Sequence, residues 1–384
     1  MTYDVHALRA REFPWMDATG EIYLNSASTG PLPARTVRAM HEFIALRATP
    51  QRLNDAHLFG TLARSRELVA QLIGARTTEI ALATNTTYGL NLAAAGLPLG
   101  DGDVVVLCDG DFPANIYPWE QLAPKRGATI RRIPTRDGLM DEAAVLASLD
   151  DPRVKVVSLS WVGFATGYRA DINAIGRRCR ERGIWFVVDA IQGLGPLPLD
   201  AHACEADIIA CGAQKWLLSP WGAGFVYVRE ELARTLEPPM VSWMAVRGSD
   251  DFRRLLDYDL TWRDDARRFE FITLPFQDFA GMNASLELLL ELGPAAIERH
   301  VGTLVGEVAA WAQGRTDVSL VTPADPAHRA GIVCVRPRDA EATSRRLAEA
   351  GIAHSQREGA IRLAAHAFTT REEIARALAV FGAG

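Results

Sequence analysis

The stretch ADIIACGAQKWLLSPWGAGFVYV, residues 206–228, places a lysine between two short apolar runs that predict buried strands. The runs cover 207–213 and 224–228, and Lys215 lies in the loop between them. The chain has only three lysines among its 41 basic residues. Arginine keeps a permanent charge, whereas lysine offers an amine that burial can deprotonate and that can form a Schiff base. The position therefore suggests that the amine itself has a chemical role. An equally good interpretation is a structural lysine whose side chain reaches from an apolar loop to water.

Similar apolar runs precede this stretch, and helical patterns separate most of them. Strands are predicted over 79–84, 103–108, 128–133, 154–162 and 184–190, and helices over 62–74, 115–123 and 172–182. Continuous apolar runs are typical of strands buried on both faces. Their alternation with helices predicts an α/β fold with a mostly parallel, doubly wound sheet. With the two runs around Lys215 the sheet has seven strands, and the last is expected to be antiparallel because a short loop precedes it.

The pattern changes after about residue 255. Long helices are predicted over 278–292 and 294–313, followed by a helix over 340–350, a last helix after a Thr370–Glu373 capping box, and strands over 318–322, 331–336 and 360–365. We expect three units: an N-terminal segment (1–22) associated with the small domain, a large domain (23–255) and a small α+β domain (256–384).

Composition narrows the classes of partner. The net charge is −6 over 384 residues, and no dense basic cluster is present, so nucleic acid is not an expected partner. No apolar run approaches the roughly 20 residues that a membrane span needs. The five cysteines are scattered without a CxxC pair, so neither a disulfide framework nor a metal site is expected. A cytoplasmic location is the resulting expectation.

Other predicted strand ends carry polar or aromatic residues. Asp189 follows four apolar residues, Thr86 and Thr87 begin a helix where backbone N–H groups can bind a phosphate, and Phe112 offers a ring face. Each has an ordinary alternative: Asp189 and the threonines as helix caps, Phe112 as a core residue. Ligands collect at the carboxyl ends of strands in open α/β sheets. With the amine of Lys215, these groups are the parts needed to hold pyridoxal phosphate.

Five stretches carry a resemblance to a known family: YLNSASTGPLP (23–33), DAIQ (189–192), QKWLLSPWGAGF (214–225), ARRFEFIT (266–273) and AIRLAAHAFTTREEI (360–374). On them the chain resembles the class V aminotransferase family, which has the type I fold of pyridoxal-phosphate enzymes. The lysine loop is most similar to the isopenicillin N epimerase branch. The resemblance implies a large domain with a mostly parallel seven-stranded sheet, a smaller α+β C-terminal domain, and a homodimer with shared active sites.

The resemblance also implies roles for the cofactor-binding residues. Lys215 would hold the cofactor as a Schiff base and act as general base at the substrate α carbon, and Asp189 would pair with the pyridine nitrogen. Gln192 would contact the ring hydroxyl of the cofactor, and Phe112 would stack on the ring face. The phosphate would be bound by Thr86 and Thr87 and by Thr273 of a neighbouring subunit. Gln214 belongs to the same set and stands where the family usually has histidine.

The implied substrate-binding residues are an arginine and an N-terminal loop. Arg362 matches the arginine that grips the substrate carboxylate, although an arginine paired with a surface carboxylate such as Glu358 is the structural alternative. Asn25, Ser26 and Ala27 match a loop lining the same pocket.

Departures from the family pattern restrict the activity. Gly212 replaces a frequent phosphate-binding serine, and Ile272 replaces a glycine. The segment 351–359 contains no cysteine where desulfurases carry their nucleophile, and Cys334 is expected to be a buried strand residue. The implied activity is pyridoxal-phosphate chemistry at the α carbon of an amino acid, with epimerisation or transamination as outcome. The alternatives are a C–S or other β-lyase and, in another class, a cofactor-binding regulatory module without catalysis.

Overall fold

The computed structural model describes residues 3–383, which form three sheets flanked by helices. In chain order the elements are α1 (Val5–Glu12), α2 (Pro14–Thr19), β1 (Ile22–Tyr23), α3 (Ala34–Ala48), α4 (Asp55–Ile73), β2 (Ile80–Ala83), α5 (Thr86–Gly96), β3 (Val104–Cys108), α6 (Tyr117–Leu122), β4 (Thr129–Ile133), α7 (Glu142–Ser148), β5 (Val154–Ser160), α8 (Ile172–Arg182), β6 (Trp185–Asp189), β7 (Ile208–Gly212), β8 (Gly224–Val228), α9 (Glu230–Thr235), α10 (Phe276–Leu292), α11 (Pro294–Gln313), β9 (Val318–Leu320), β10 (Ile332–Pro337), α12 (Ala340–Glu349), β11 (Ile352–Ala353), β12 (Ser355–Arg357), β13 (Ala360–Ala364) and α13 (Arg371–Phe381).

The largest sheet has seven strands in the order β2-β8-β7-β6-β5-β3-β4. Strand β8 runs antiparallel to both of its neighbours, and the other pairs are parallel. Every residue of β3, β7 and β8 is buried, as expected for apolar strands covered by helices on both faces. The predicted seven-stranded, mostly parallel sheet with an antiparallel last strand is confirmed.

Two of the predicted helices have different bounds. The helix predicted over 62–74 begins earlier, at Asp55, because the side chain of Asn54 accepts a hydrogen bond from the N–H of His57 (3.1 Å) and caps it there. The helix predicted over 115–123 is shorter, because a turn of 3₁₀ helix takes up its first residue.

A four-stranded antiparallel sheet, β12-β13-β10-β9, forms the core of the C-terminal region, with α11 and α12 packed on it. The predicted capping box closes at the start of α13, where Thr370 and Glu373 exchange hydrogen bonds (3.2 and 2.8 Å). This region has the α+β character expected of the C-terminal part of the chain.

The N-terminal residues lie against the C-terminal region. Strand β1 pairs in parallel with β11, and the side chain of Arg9 forms an ion pair with Glu373 (2.7 Å). Helix α10, in contrast, packs against α3 and α4. The division into 1–22, 23–255 and 256–384 stays a prediction.

The topology brings the loops that follow β3, β5, β6 and β7 to one edge of the large sheet. The four-stranded sheet contacts the same edge through Arg362 on β13. Within residues 3–383, no helix combines the length and the apolar character needed to cross a membrane.

Candidate active site

Lys215 lies directly after β7, in a loop held in place by the N-terminal loop. The N–H of Gly30 donates to the carbonyl of Gln214 (2.9 Å), and a Cβ at Gly30 would lie 2.0 Å from the Lys215 carbonyl oxygen, so a larger residue cannot make this approach. Burial lowers the pKa of Lys215 to about 8. At that pKa roughly a tenth of the amine is neutral at pH 7, against well under about a thousandth for an ordinary lysine. The amine is therefore suited to nucleophilic and proton-transfer chemistry.

Asp189 ends β6 and is 2% exposed. One carboxylate oxygen accepts a hydrogen bond from the N–H of Ile191 (3.0 Å), and burial raises the pKa of Asp189 to about 7, while the charge of Lys215 acts in the opposite direction. No arginine or lysine of the described chain forms an ion pair within 4 Å of this carboxylate. A buried carboxylate with so few partners is expensive in isolation, and a protonated pyridine nitrogen would supply the missing cation.

The predicted anion site is the N-terminus of α5, which begins at Thr86. The hydroxyl oxygen of Thr86 accepts a hydrogen bond from the N–H of Gly212 (2.8 Å), which joins the end of β7 to the helix and leaves the hydroxyl hydrogen free to donate. Thr87, in the same first turn, is exposed to the site edge, and Asn85 caps the helix through the N–H of Tyr88 (2.9 Å). Unpaired N–H groups of the first turn and two hydroxyls suit a phosphate.

Gly212 and Gln214 depart from the family pattern together. A Cβ at Gly212 would lie 2.5 Å from the Gln214 amide oxygen and 3.3 Å from the Thr86 hydroxyl. The Gln214 side chain therefore occupies the space that a serine at position 212 would take. It places an amide beside the N-terminus of α5, and the cofactor-binding role of Gln214 stays a prediction.

Phe112 follows β3, and its ring faces the lysine. The Lys215 Nζ lies 5.8 Å from the ring centroid, and Phe164 packs edge-on against the same ring (5.2 Å between centroids). The Phe112 side chain is exposed by 43%, so it is available to a planar ligand and is not the core residue of the alternative interpretation.

Arg362 lies in the middle of β13, and the next two residues continue the pairing with β10. The guanidinium is buried and donates to the Ser355 hydroxyl (2.9 Å), the Ser28 hydroxyl (2.8 Å) and the Phe164 carbonyl (2.8 Å). No carboxylate of the described chain pairs with it, which excludes the expected alternative of a surface ion pair with Glu358. Burial first, and the charge of Arg357 second, lower the pKa of Arg362 to about 10. An anion from outside the chain would stabilise this charge.

The N-terminal loop contacts both Arg362 and the region around Lys215. The Ser28 hydroxyl that accepts from Arg362 donates to the Asn25 side chain (2.8 Å). Ser26 is buried, and its hydroxyl has no hydrogen-bond partner among residues 3–383. Ala27 is likewise buried and presents its carbonyl towards Gln192.

Gln192 fits its predicted role least well. Its amide nitrogen donates to the Ala27 carbonyl (3.0 Å), and its amide oxygen accepts from the indole of Trp216 (2.8 Å). One amide hydrogen remains for a ligand, so contact with a ring hydroxyl stays a prediction. Trp216 directly follows the lysine, and the sequence carries no signal for its partner 24 residues away.

Thr273 lies apart from this group within the chain. It lines a groove with Phe43, Arg47 and Leu58, none of which belongs to the set around Lys215. Its predicted role in a neighbouring subunit's phosphate site stays a prediction.

The cysteines are all buried, as predicted for Cys334. Cys334 lies opposite Arg362 in the β10–β13 pair, and burial raises its pKa to about 12. A protonated, buried thiol is a poor nucleophile.

Comparison with known proteins agrees with this geometry. The family model for class V aminotransferases matches residues 22–376. The isopenicillin N epimerase of Streptomyces clavuligerus is 30% identical over 386 residues, covering 94% of this chain and 96% of that protein. A probable cysteine desulfurase of Methanothermobacter thermautotrophicus is 30% identical over 293 residues, covering 73% and 69%.

Two solved structures share the fold. The cystine C–S lyase C-DES in complex with its product cysteine persulfide superposes with a TM-score of 0.86 at 25% identity, covering 96% of this chain and 99% of that one. The apo cysteine desulfurase of Thermococcus onnurineus gives a TM-score of 0.87 at 24% identity, covering 99% and 98%.

Proposed function

Because the chain belongs to the class V aminotransferase family of pyridoxal-phosphate-dependent enzymes, we propose that it labilises a bond at the α carbon of an amino acid and that Lys215 carries the proton. The observation that supports this most is the convergence of three buried charged groups. They are the amine of Lys215 with a pKa of about 8, the Asp189 carboxyl with a pKa of about 7, and the Arg362 guanidinium without a carboxylate partner.

The residues present fit the cofactor. Lys215 would hold it covalently, Asp189 would pair with its ring nitrogen, Phe112 would cover its ring, and the first turn of α5 would bind its phosphate. When bound, pyridoxal phosphate withdraws the negative charge that develops at the substrate α carbon.

The chain itself supplies the proton transfer and the positioning. The Nζ of Lys215 accepts the proton from the α carbon as general base, because its lowered pKa leaves a usable neutral fraction at neutral pH. Arg362 orients the substrate by two parallel hydrogen bonds to its carboxylate, and Ser355 and the Phe164 carbonyl hold the guanidinium in that orientation. The Phe112–Phe164 pair excludes water from one side of the site.

The outcome depends on where the proton returns. Return to the opposite face of the α carbon gives epimerisation, and delivery to the cofactor gives transamination. Loss of a β-substituent gives a lyase, an alternative favoured by the structural likeness to C-DES. A desulfurase that forms a persulfide on its own cysteine is not proposed, because the cysteines are buried and their thiol pKa values are raised.

The test is the visible spectrum of the cofactor-loaded protein in the presence of individual amino acids, followed by product analysis of those that change it. We expect the band to shift with at least one amino acid and an isomerised, transaminated or eliminated product to accumulate. A band that no amino acid changes would favour the rival interpretation, a cofactor-binding regulatory module.

We also propose a homodimer with shared active sites, located in the cytoplasm. Support for the dimer comes from the segment 240–260, which carries exposed apolar side chains, including Leu256 (78% exposed) and Tyr258 (88%). In such a dimer Thr273, which follows this segment, would reach the neighbouring subunit's phosphate. Support for the location is the set of free cysteines, which is typical of a reducing compartment.

A further inference from the structure

The hairpin of β12 and β13 places a second arginine on the same face of the sheet as Arg362. Ser355 lies opposite Arg362 in the register, and Arg357 lies opposite Ala360. Since alternate strand residues point to the same face, Arg357 and Arg362 are diagonal neighbours on one face, about 7–8 Å apart in the backbone.

This face is turned towards the lysine. Arg362 reaches across it to Ser28 and to the Phe164 carbonyl, both in loops at the edge of the large sheet. The charge of Arg357 lowers the pKa of Lys215 and of Arg362, so its half-buried side chain acts on the same site.

Neither guanidinium has an anionic partner in the described chain. Arg357 donates to the carbonyl of the adjacent Gln356 (2.7 Å), and Arg362 donates to two hydroxyls and a carbonyl. Arg66, another partly buried arginine, is paired with Glu270 (2.6 Å), whereas the buried Arg268 donates to backbone carbonyls; what distinguishes Arg357 and Arg362 is that two such guanidiniums share one face of one sheet. Two like charges on neighbouring positions of one sheet face repel each other, and the repulsion is relieved when anions bind both.

We infer that the substrate carries two anionic groups, an α-carboxylate bound by Arg362 and an acidic side-chain terminus bound by Arg357. This inference rests on the proposed function and narrows its substrate to amino acids whose side chain ends in an oxyanion, such as a carboxylate or sulfinate. Two guanidiniums at fixed positions on one sheet would select among amino acids by the charge of the side chain and by the distance between its anionic group and the α-carboxylate.

The first test measures binding without chemistry. Glutarate and its monoamide lack an amine and cannot react with the cofactor, and they differ by one charge. In calorimetry on the cofactor-loaded protein, glutarate should bind at least about tenfold more tightly than the monoamide, equivalent to about 1.4 kcal/mol. Arg357→Gln should remove this preference because it weakens the binding of glutarate, and it should change the dissociation constant of the monoamide by less than about twofold.

Arg336→Gln is the matched control, because Arg336 lies on the same sheet face, on β10, but is exposed and donates only to the Glu358 carbonyl (3.3 Å). It should keep the preference for glutarate. Equal binding of the two probes by the unchanged protein, or an equal loss of both in Arg357→Gln, would overturn the inference.

The second test separates this inference from the proposed function. Aspartate and glutamate should shift the visible band at concentrations at least about tenfold lower than asparagine and glutamine, and Arg357→Gln should abolish the difference. Equal responses to acidic and amide amino acids would overturn the inference alone. A band that responds to no amino acid would overturn the proposed function and this inference with it.

Discussion

Burial moves the pKa values of Asp189 and Lys215 towards each other, up to about 7 for the carboxyl and down to about 8 for the amine. Each shift arises mainly from removing a charge from water, and the opposite charge of the neighbour partly offsets it. Both groups can therefore change protonation near neutral pH. This property suits a site that holds a cationic ring and moves a proton.

The raised pKa of Asp189 predicts a pH-dependent stability in protein freed of cofactor. The folded carboxyl binds its proton below about pH 7, whereas the unfolded one does so only below about 4, so this contribution to stability is full below pH 4 and is lost as the pH rises through 7. At pH 8, Asp189→Asn should therefore be more stable to urea than the unchanged protein by roughly 4 kcal/mol, the equivalent of a pKa shift of about three units, and at pH 4.5 the difference should shrink to about 1 kcal/mol. An equal effect at both pH values would contradict the assignment.

Arg362→Lys tests the carboxylate anchor. Lysine keeps the charge but offers no planar pair of donors, so we expect KM for amino acids to rise at least about tenfold, equivalent to roughly 1.4 kcal/mol. The cofactor spectrum and the binding of amines without a carboxylate should be nearly unchanged. Equal losses for amines and amino acids would show that Arg362 acts on something other than the carboxylate.

Single residues were predictable where one residue type suits one chemical task. The structure places the lysine of this arginine-rich chain and the aspartate after an apolar strand at one edge of the large sheet, and the arginine of IRLAA reaches that edge from β13; their roles stay predictions. Partners that depend on the fold were not predictable, such as the Phe164 carbonyl 198 residues from Arg362. Arg357 could have been found from the alternation of residues along the β12–β13 hairpin.

At the scale of elements, the joint between β7 and α5 depends on a compensating pair. Gly212 leaves room for the Gln214 amide, which lies where a serine side chain would otherwise be. The hydrogen bond from Gly212 to the Thr86 hydroxyl fixes the strand end against the helix N-terminus. The two departures from the family pattern thus belong to one local arrangement at the N-terminus of α5, the proposed phosphate site.

This pairing predicts non-additive substitutions. Gly212→Ser alone should displace the Gln214 side chain and weaken cofactor binding at least about threefold, and Gln214→His alone should do the same. The double variant restores the usual family residues and should bind the cofactor with a dissociation constant within about twofold of that of the unchanged protein. The two substitutions would then show a favourable coupling energy. Cofactor dissociation constants from absorbance titrations measure it, and strictly additive losses would argue against the pair.

Most helices and strands could be predicted from apolar runs and from helix-capping residues in the sequence. Most strands of the large sheet were predicted because burial on both faces leaves a continuous apolar run, and the start of α13 was predicted from its Thr–Glu capping box. The edge strand β4 was also predicted, although it is only partly buried. The two-residue strands β1 and β11 were not, because their pairing is too short to leave a period in the sequence. The segment 240–260 also carried no periodic signal, and its only strand-like contact is one bridge between Val246 and Trp262.

The whole molecule exposes an apolar surface along that segment. Leu256, Tyr258 and Leu260 are each more than two-thirds exposed, and Tyr258 and Leu260 line a cavity of about 790 Å³. Clustered apolar side chains of this kind mark an interaction surface. A second copy of the chain is the occupant that the shared-site proposal requires.

A dimer stabilised by this surface should dissociate when the surface becomes charged. Replacing Leu256 and Tyr258 together with glutamate should shift the protein towards monomer in sedimentation at micromolar concentration and lower cofactor loading in parallel. Arg345→Glu, an exposed change on α12, serves as the control and should leave the dimer intact. A stable monomer of the unchanged protein with full cofactor loading would contradict the shared site.

The central claim, that Lys215 holds the cofactor, is tested most directly by borohydride reduction of the cofactor-loaded protein followed by peptide mapping. With only Lys125, Lys155 and Lys215 in the chain, the assignment is unambiguous. The pyridoxyl label should appear on the peptide that contains Lys215 and should be absent from Lys215→Ala, while Lys155→Ala keeps it. A label on Lys125 or Lys155, or label retained in Lys215→Ala, would contradict the account.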